Sequence, residues 1–158
     1  MASSESVVDS KDHAAKILVN LILENNYLPN ISRAVDCMNV VSIKSGLTIS
    51  MWDSEKINGN IIYKNSQGGE KYWPFMGEEV ELLDNELAAF DEEKVLCLVR
   101  YRDSKYAPIM EETTKMVVHI QGVEGISKER VENALNELEQ LLIENVGAKI
   151  SKKEIILK

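Results

Sequence analysis

Residues 127–147 place Val131, Ala134, Leu135, Leu138, Leu141, Leu142 and Val146 along one side of a helix, with Ser127 ahead of it and Gly147 behind. Apolar residues at that spacing need a surface to cover, so the stripe demands a sheet or further helices elsewhere in the chain. The preceding residues provide both. From about Asp12, Ala14, Ile17, Leu18, Leu21 and Ile22 share one helical face, which Asn25, Asn26 and Pro29 end. A second helix begins at Ser32 as its N-cap, sets Val35, Met38 and Val41 on one side, and stops at Gly46. The two helices read as an αα-hairpin. Beyond Gly46 the pattern changes. Residues 60–64, 71–75, 95–101 and 116–123 are strand-like runs punctuated by Gly-containing and acidic turns. Residues 154–157 read as a last strand. The order lacks βαβ alternation and predicts an α+β fold: an N-terminal helical hairpin, a mixed, mostly antiparallel sheet and a long C-terminal helix.

At 158 residues, with 44% hydrophobic and 28% charged side chains, the chain has the make-up of one globular domain. Residues 1–11, small, polar and acidic, are expected to be a disordered tail, and residues 12–158 a single domain. No apolar run approaches the ~20 residues that span a bilayer. The first residues lack the basic-then-apolar order of a secretory signal. Cys37 and Cys97 lie far apart, with no CxxC or Cys/His cluster, so free buried thiols in a reducing cytoplasm are expected. No metal, no cofactor and no membrane association are predicted. The net charge of −8 comes from residues 78–93 alone, which hold eight acids and no base. That run reads as an exposed acidic face or loop, and alternatively as a patch for a basic partner. The lysine-rich residues 149–158 are too short to mark nucleic-acid binding by themselves.

GxGxxG, GxxxxGK[ST], HExxH and GxSxG are all missing, which leaves dinucleotide, P-loop, zincin and hydrolase-elbow readings without support. His13 reads as a surface residue. His119 lies within the strand-like MVVHIQGV. If Val118 and Ile120 face the core, it faces the other way with Val117 and Gln121. It is either a half-buried histidine with a satisfied hydrogen bond or a functional base. The stretch 100–113 concentrates Arg102, Asp103, Ser104, Glu111, Glu112 and Thr113 between two strands, where a rigid sheet can hold ligand-binding groups. Asp103 and Thr113 could equally brace their own loop.

Several segments, in order, resemble one family. LPNISRAVDCMNVVSIKSGL followed by MWDSEKINGNIIY is similar to the editing domain of the phenylalanyl-tRNA synthetase beta subunit and its stand-alone relatives. The matching positions are Val35, Asp36, Asn39, Gly46, Leu47, Trp52, Asp53, Ile57, Gly59 and Pro74. VLCLVRYRDS and EETTKMVV resemble the stand-alone members. Departures are specific. Ser50 stands where the synthetase branch has a histidine tied to hydrolysis of mischarged tRNA, and His119 stands where it has a glutamate. The branch's Thr-x-Ala segment has no counterpart, and Thr48 replaces a proline.

The resemblance implies a stand-alone editing-like domain that hydrolyses mischarged aminoacyl-tRNA in trans. Its catalytic groups would be His119 and Ser50, with Asn39, Asp53, Arg102, Asp103, Glu112 and Thr113 holding the substrate. The cleft is expected between the helix bearing Asn39 and the sheet. The alternative is a non-catalytic module that binds RNA, an amino acid or a protein on the same scaffold. Partners implied are tRNA or an aminoacyl group, a synthetase subunit, or a second copy of the chain.

Overall fold

The computed structural model describes residues 32–99 and 101–156, together with Val19, Leu23 and Glu24, which are helical. The tail expected over residues 1–11 lies outside the described residues, as does nearly all of the first predicted helix. The second helix, α1 (Arg33–Ser45), is capped as its sequence requires. Ser32 Oγ accepts a hydrogen bond from Val35 N, and Gly46 closes the helix in the left-handed region at φ 68°. A Cβ at Gly46 would come within 2.9 Å of Arg130 Nη2, so any other residue there meets both strain and a neighbour.

Strand β1 (Thr48–Asp53) pairs antiparallel with β7 (Met116–Gln121). Strand β5 (Asp84–Phe90) sits between β2 (Ile62–Gln67) and β6 (Val95–Leu98) in a second antiparallel sheet. A short hairpin, β3 (Lys71–Tyr72) with β4 (Val80–Glu81), lies beside it. The chain closes on α2 (Lys128–Val146), N-capped by Ser127 and ended by Gly147. This is the α+β fold with a long C-terminal helix.

Three apolar cores stack these elements. Ile49 and Met51 on one face of β1 join Ala34, Cys37 and Val41 of α1 and Ala134, Leu138 and Leu142 of α2. The opposite face of the β1–β7 pair, with Trp52 and Val117, packs on Ala89, Leu96 and Cys97 of the second sheet. Tyr72 and Leu82 of the β3–β4 hairpin region cover Ala88, Phe90, Val95 and Leu98. The alternation expected in β7 holds: Met116, Val118 and Ile120 pack toward the helices, and Val117 turns toward the second sheet.

Two expectations need correction. Residues 78–93 are not a uniformly exposed acidic run, because β4 and the central strand β5 lie within them and Leu82, Ala88, Ala89, Phe90 and Asp91 are buried. The apolar residues were enough to make a strand, and the acids fall at its two ends. Asp91 caps the β5–β6 turn, accepting from Asn58 N, Glu93 N and Lys94 N and pairing with Lys94 Nζ at 2.6 Å. Residues 151–156 form no strand; Lys153 binds Asn136 and Glu139 on α2, and Ile156 is 76% exposed.

Candidate functional site

Strand register decides which polar groups meet. In the antiparallel β1–β7 pair Ser50 stands directly opposite His119, so their side chains share a face. That face is turned from the helices toward the second sheet. Tyr63 reaches across from β2, its phenol oxygen 2.7 Å from His119 Nδ1 and its ring centroid 4.4 Å from the imidazole's. Cys97 of β6 lies beside them, 3% exposed, and its backbone bridges to Asp103. The Trp52 indole N–H donates to Asp103 Oδ1 at 3.2 Å. One cluster therefore contains the buried Ser50 and Cys97 and the half-buried Tyr63, Asp103 and His119.

Burial sets the protonation of the cluster. Asp103 is pushed up to about 7 by desolvation, although hydrogen bonds from Ser50, Trp52 and the Met51 backbone favour its charged form. The Cys97 thiol rises to about 12, first through burial and then through the Asp103 charge, so it is protonated at neutral pH and no thiolate nucleophile. Burial raises the Tyr63 phenol and lowers His119. The imidazole is therefore neutral at pH 7, with one nitrogen able to accept a proton.

The other expected site residues lie elsewhere. Asn39 is buried on α1, and the space between α1 and β1, where a cleft was expected, is filled by Cys37, Val41, Ile49 and Met51. Asp53 Oδ1 accepts from Glu55 N, and its Oδ2 accepts from Thr113 Oγ1 at 3.0 Å. Thr113 in turn accepts from Met110 N. Both brace the loop that leads into β7. Arg102 donates to the Met76 carbonyl at 3.0 Å and lies over the Tyr101 ring, tying its loop to the β3–β4 hairpin. Glu112 is exposed in a turn. Among the described residues no group of His, Cys, Asp or Glu is placed to hold a metal ion, and no helix is long and apolar enough to cross a membrane. An open groove of about 420 Å³ between α1 and α2 is bordered by groups already paired, Lys44 with Glu137 and Arg130 with the Ser45 carbonyl.

Tyr63 and Cys97 were not among the sequence candidates. Tyr63 alternates with the exposed Ile62 and Lys64, and all of β6 is buried, but nothing local to either strand says which residue faces it from another sheet.

The B3/4 domain model matches residues 6–147. The chain belongs to the B3/4 domain family. This B3/4 domain is 35% identical over 79 residues to the phenylalanine–tRNA ligase beta subunit of Legionella pneumophila strain Lens, covering 50% of the chain and 10% of that protein. It is 28% identical over 96 residues to the corresponding subunit of Neisseria gonorrhoeae, covering 61% of the chain and 12% of that protein. The B3/4 domain thus spans about a tenth of these curated relatives. Among solved structures it is similar to an N-terminal fragment of the phenylalanyl-tRNA synthetase beta subunit from Pyrococcus horikoshii, with a TM-score of 0.61 and 20% identity over 72% of the chain and 40% of that fragment. At that identity the likeness concerns the fold alone.

Proposed function

We propose that this B3/4 domain hydrolyses the ester of a wrongly charged aminoacyl-tRNA, with His119 as the base. The observation that carries the reading is the Ser50–His119 register, which sets a hydroxyl and a neutral imidazole on one face beside the desolvated Asp103 carboxyl. In that arrangement His119 takes a proton from water as the water oxygen bonds to the ester carbonyl carbon. The bond from that carbon to the ribose oxygen then breaks, and the proton passes to the departing ribose hydroxyl. In the resting site the Ser50 hydroxyl donates to Asp103; turned toward the substrate, the same O–H would stabilise the developing oxyanion. Asp103 and Trp52 hold the Ser50 side of the cluster in place. The scaffold shared with tRNA ligase subunits supports the substrate class.

One observation favours a second reading, a binding module without chemistry. His119 Nδ1 is already engaged by Tyr63, and Ser50 beside it is buried. A deacylation assay on correctly and wrongly charged tRNAs, run beside a binding assay on the same samples, separates the two. Release of amino acid supports hydrolysis, and binding without release supports the module.

A further inference from the structure

The cluster contains an occupant supplied by the chain itself. Tyr63 belongs to β2, which among the described residues pairs with β5 alone and so lies at an edge of its sheet. Its neighbours Ile62, Lys64 and Asn65 are exposed, and the pairing slips between Asn65 and Gln67. The side chain nevertheless crosses to the β1–β7 pair. There its ring lies against the imidazole with the planes tilted by 32°, and its hydroxyl meets Nδ1 at 2.7 Å. Small residues, Ala89 and Ala107, make room for it beside Trp52 and Cys97. The phenol meets the Cys97 thiol and His119 Nδ1, and the second is a nitrogen that a reacting or bound ligand would need.

We propose that Tyr63 is the gate of the site: its phenol closes the pocket against His119, and a ligand enters by displacing it. The inference rests on the reading of the cluster as a ligand site. The space Tyr63 vacates sets the size of the ligand group that enters, a side chain up to about one six-membered ring. An internal occupant weakens ligand binding in proportion to the fraction of molecules in which it is seated, so its removal raises affinity without any new contact. Tyr63 is therefore a positioning and size-selecting residue, not one that takes part in bond making.

The test uses p-cresol, which is the tyrosine side chain itself. In wild type labelled with 3-fluorotyrosine, the Tyr63 resonance is identified as the one missing from Tyr63→Phe. It should move toward the solvent-exposed value as p-cresol is titrated in. Tyr63→Ala should bind p-cresol at least about tenfold more tightly than wild type, because nothing competes for the space. Tyr63→Phe should retain the closed pocket. Should Tyr63→Ala fail to fold, Tyr63→Leu is read in the same way. A Tyr63 signal that stays fixed throughout, with equal or no p-cresol binding in wild type and the small-residue variants, overturns the gate. Displacement and tighter binding without deacylation by any of these proteins would keep the gate and remove the hydrolytic reading. Deacylation by wild type with a fixed Tyr63 would do the reverse.

Discussion

Tyr63 and His119 come from different sheets, yet the phenol oxygen of one lies 2.7 Å from Nδ1 of the other. This hydrogen bond fixes the imidazole and ties β2 to β7 across the central core. A hydrogen bond of this kind contributes about 0.5–1.5 kcal/mol net. Tyr63→Phe keeps the ring and removes the bond, so it should lower stability by that amount in urea unfolding while leaving the m-value unchanged. A loss of zero would mean that the bond does not persist in solution.

Asp103 and Asp91 should give opposite pH dependences. The Asp103 carboxyl has an ordinary value of 3.8 and is pushed up to about 7 in the fold, so the folded chain holds its proton where the unfolded chain has released it. Stability from this group is therefore greatest at about pH 4 and below, and falls as pH rises toward about 7. Each unit of difference is worth about 1.4 kcal/mol, so Asp103→Asn should stabilise the protein by a few kcal/mol at pH 8 and flatten that slope. Burial tends to raise Asp91, but donors from Asn58, Lys94 and Glu93 outweigh it and hold the carboxyl below its ordinary range. Its contribution is present at neutral pH and is lost as the medium becomes acid. Thermal melts of Asp103→Asn between about pH 4 and pH 8, and of Asp91→Asn between about pH 2 and pH 5, should change slope in opposite directions.

Thr113 braces Asp53 and the loop before β7. Replacing it with Val removes the bond donated to Asp53 and the bond accepted from Met110 N. A loss of about 0.5–1.5 kcal/mol per bond is expected in denaturant unfolding, since Asp53 Oδ2 keeps its pairing with Lys56 and the exposed Met110 N–H can turn to water. Deacylation by the folded Thr113→Val protein should remain close to wild type, because the residue lies outside the cluster.

Leu138 is 1% exposed and sits where α2 meets α1 and β1. Leu138→Ala should cost about 2–5 kcal/mol, the range for emptying a well-packed leucine site. Melting close to wild type would show that the helical layer is not load-sharing with the sheet.

How much of this was legible in the chain depends on the range over which each signal acts. Ser32, Gly46, Ser127 and Gly147 act on the turns beside them, and both described helices begin and end where these residues predict. The face of His119 followed from alternation in β7, and the pairing of importance, Ser50 with His119, joined two positions already singled out. Strand β5 was hidden because charge dominated its composition, although Leu87, Ala88, Ala89 and Phe90 form an apolar run within it. The expected strand at 154–157 had the right residues, but the tail is held along α2 by Lys153. Tyr63 and Cys97 were illegible as site residues because their partners are defined only by the packing of one sheet on another. The Asn39 cleft failed for a related reason: apolar side chains from α1, α2 and β1 fill that space completely enough to form the main core.

The most direct test of the account is single-turnover deacylation of a panel of correctly and wrongly charged tRNAs by wild type and His119→Ala, with folding of both checked by thermal melting. The account predicts that wild type releases the amino acid from at least one wrongly charged tRNA. It also predicts that His119→Ala slows this release by about 10²- to 10⁴-fold, the usual contribution of a positioned base. Equal rates for the two folded proteins, or no release by wild type from any member of the panel, would contradict it.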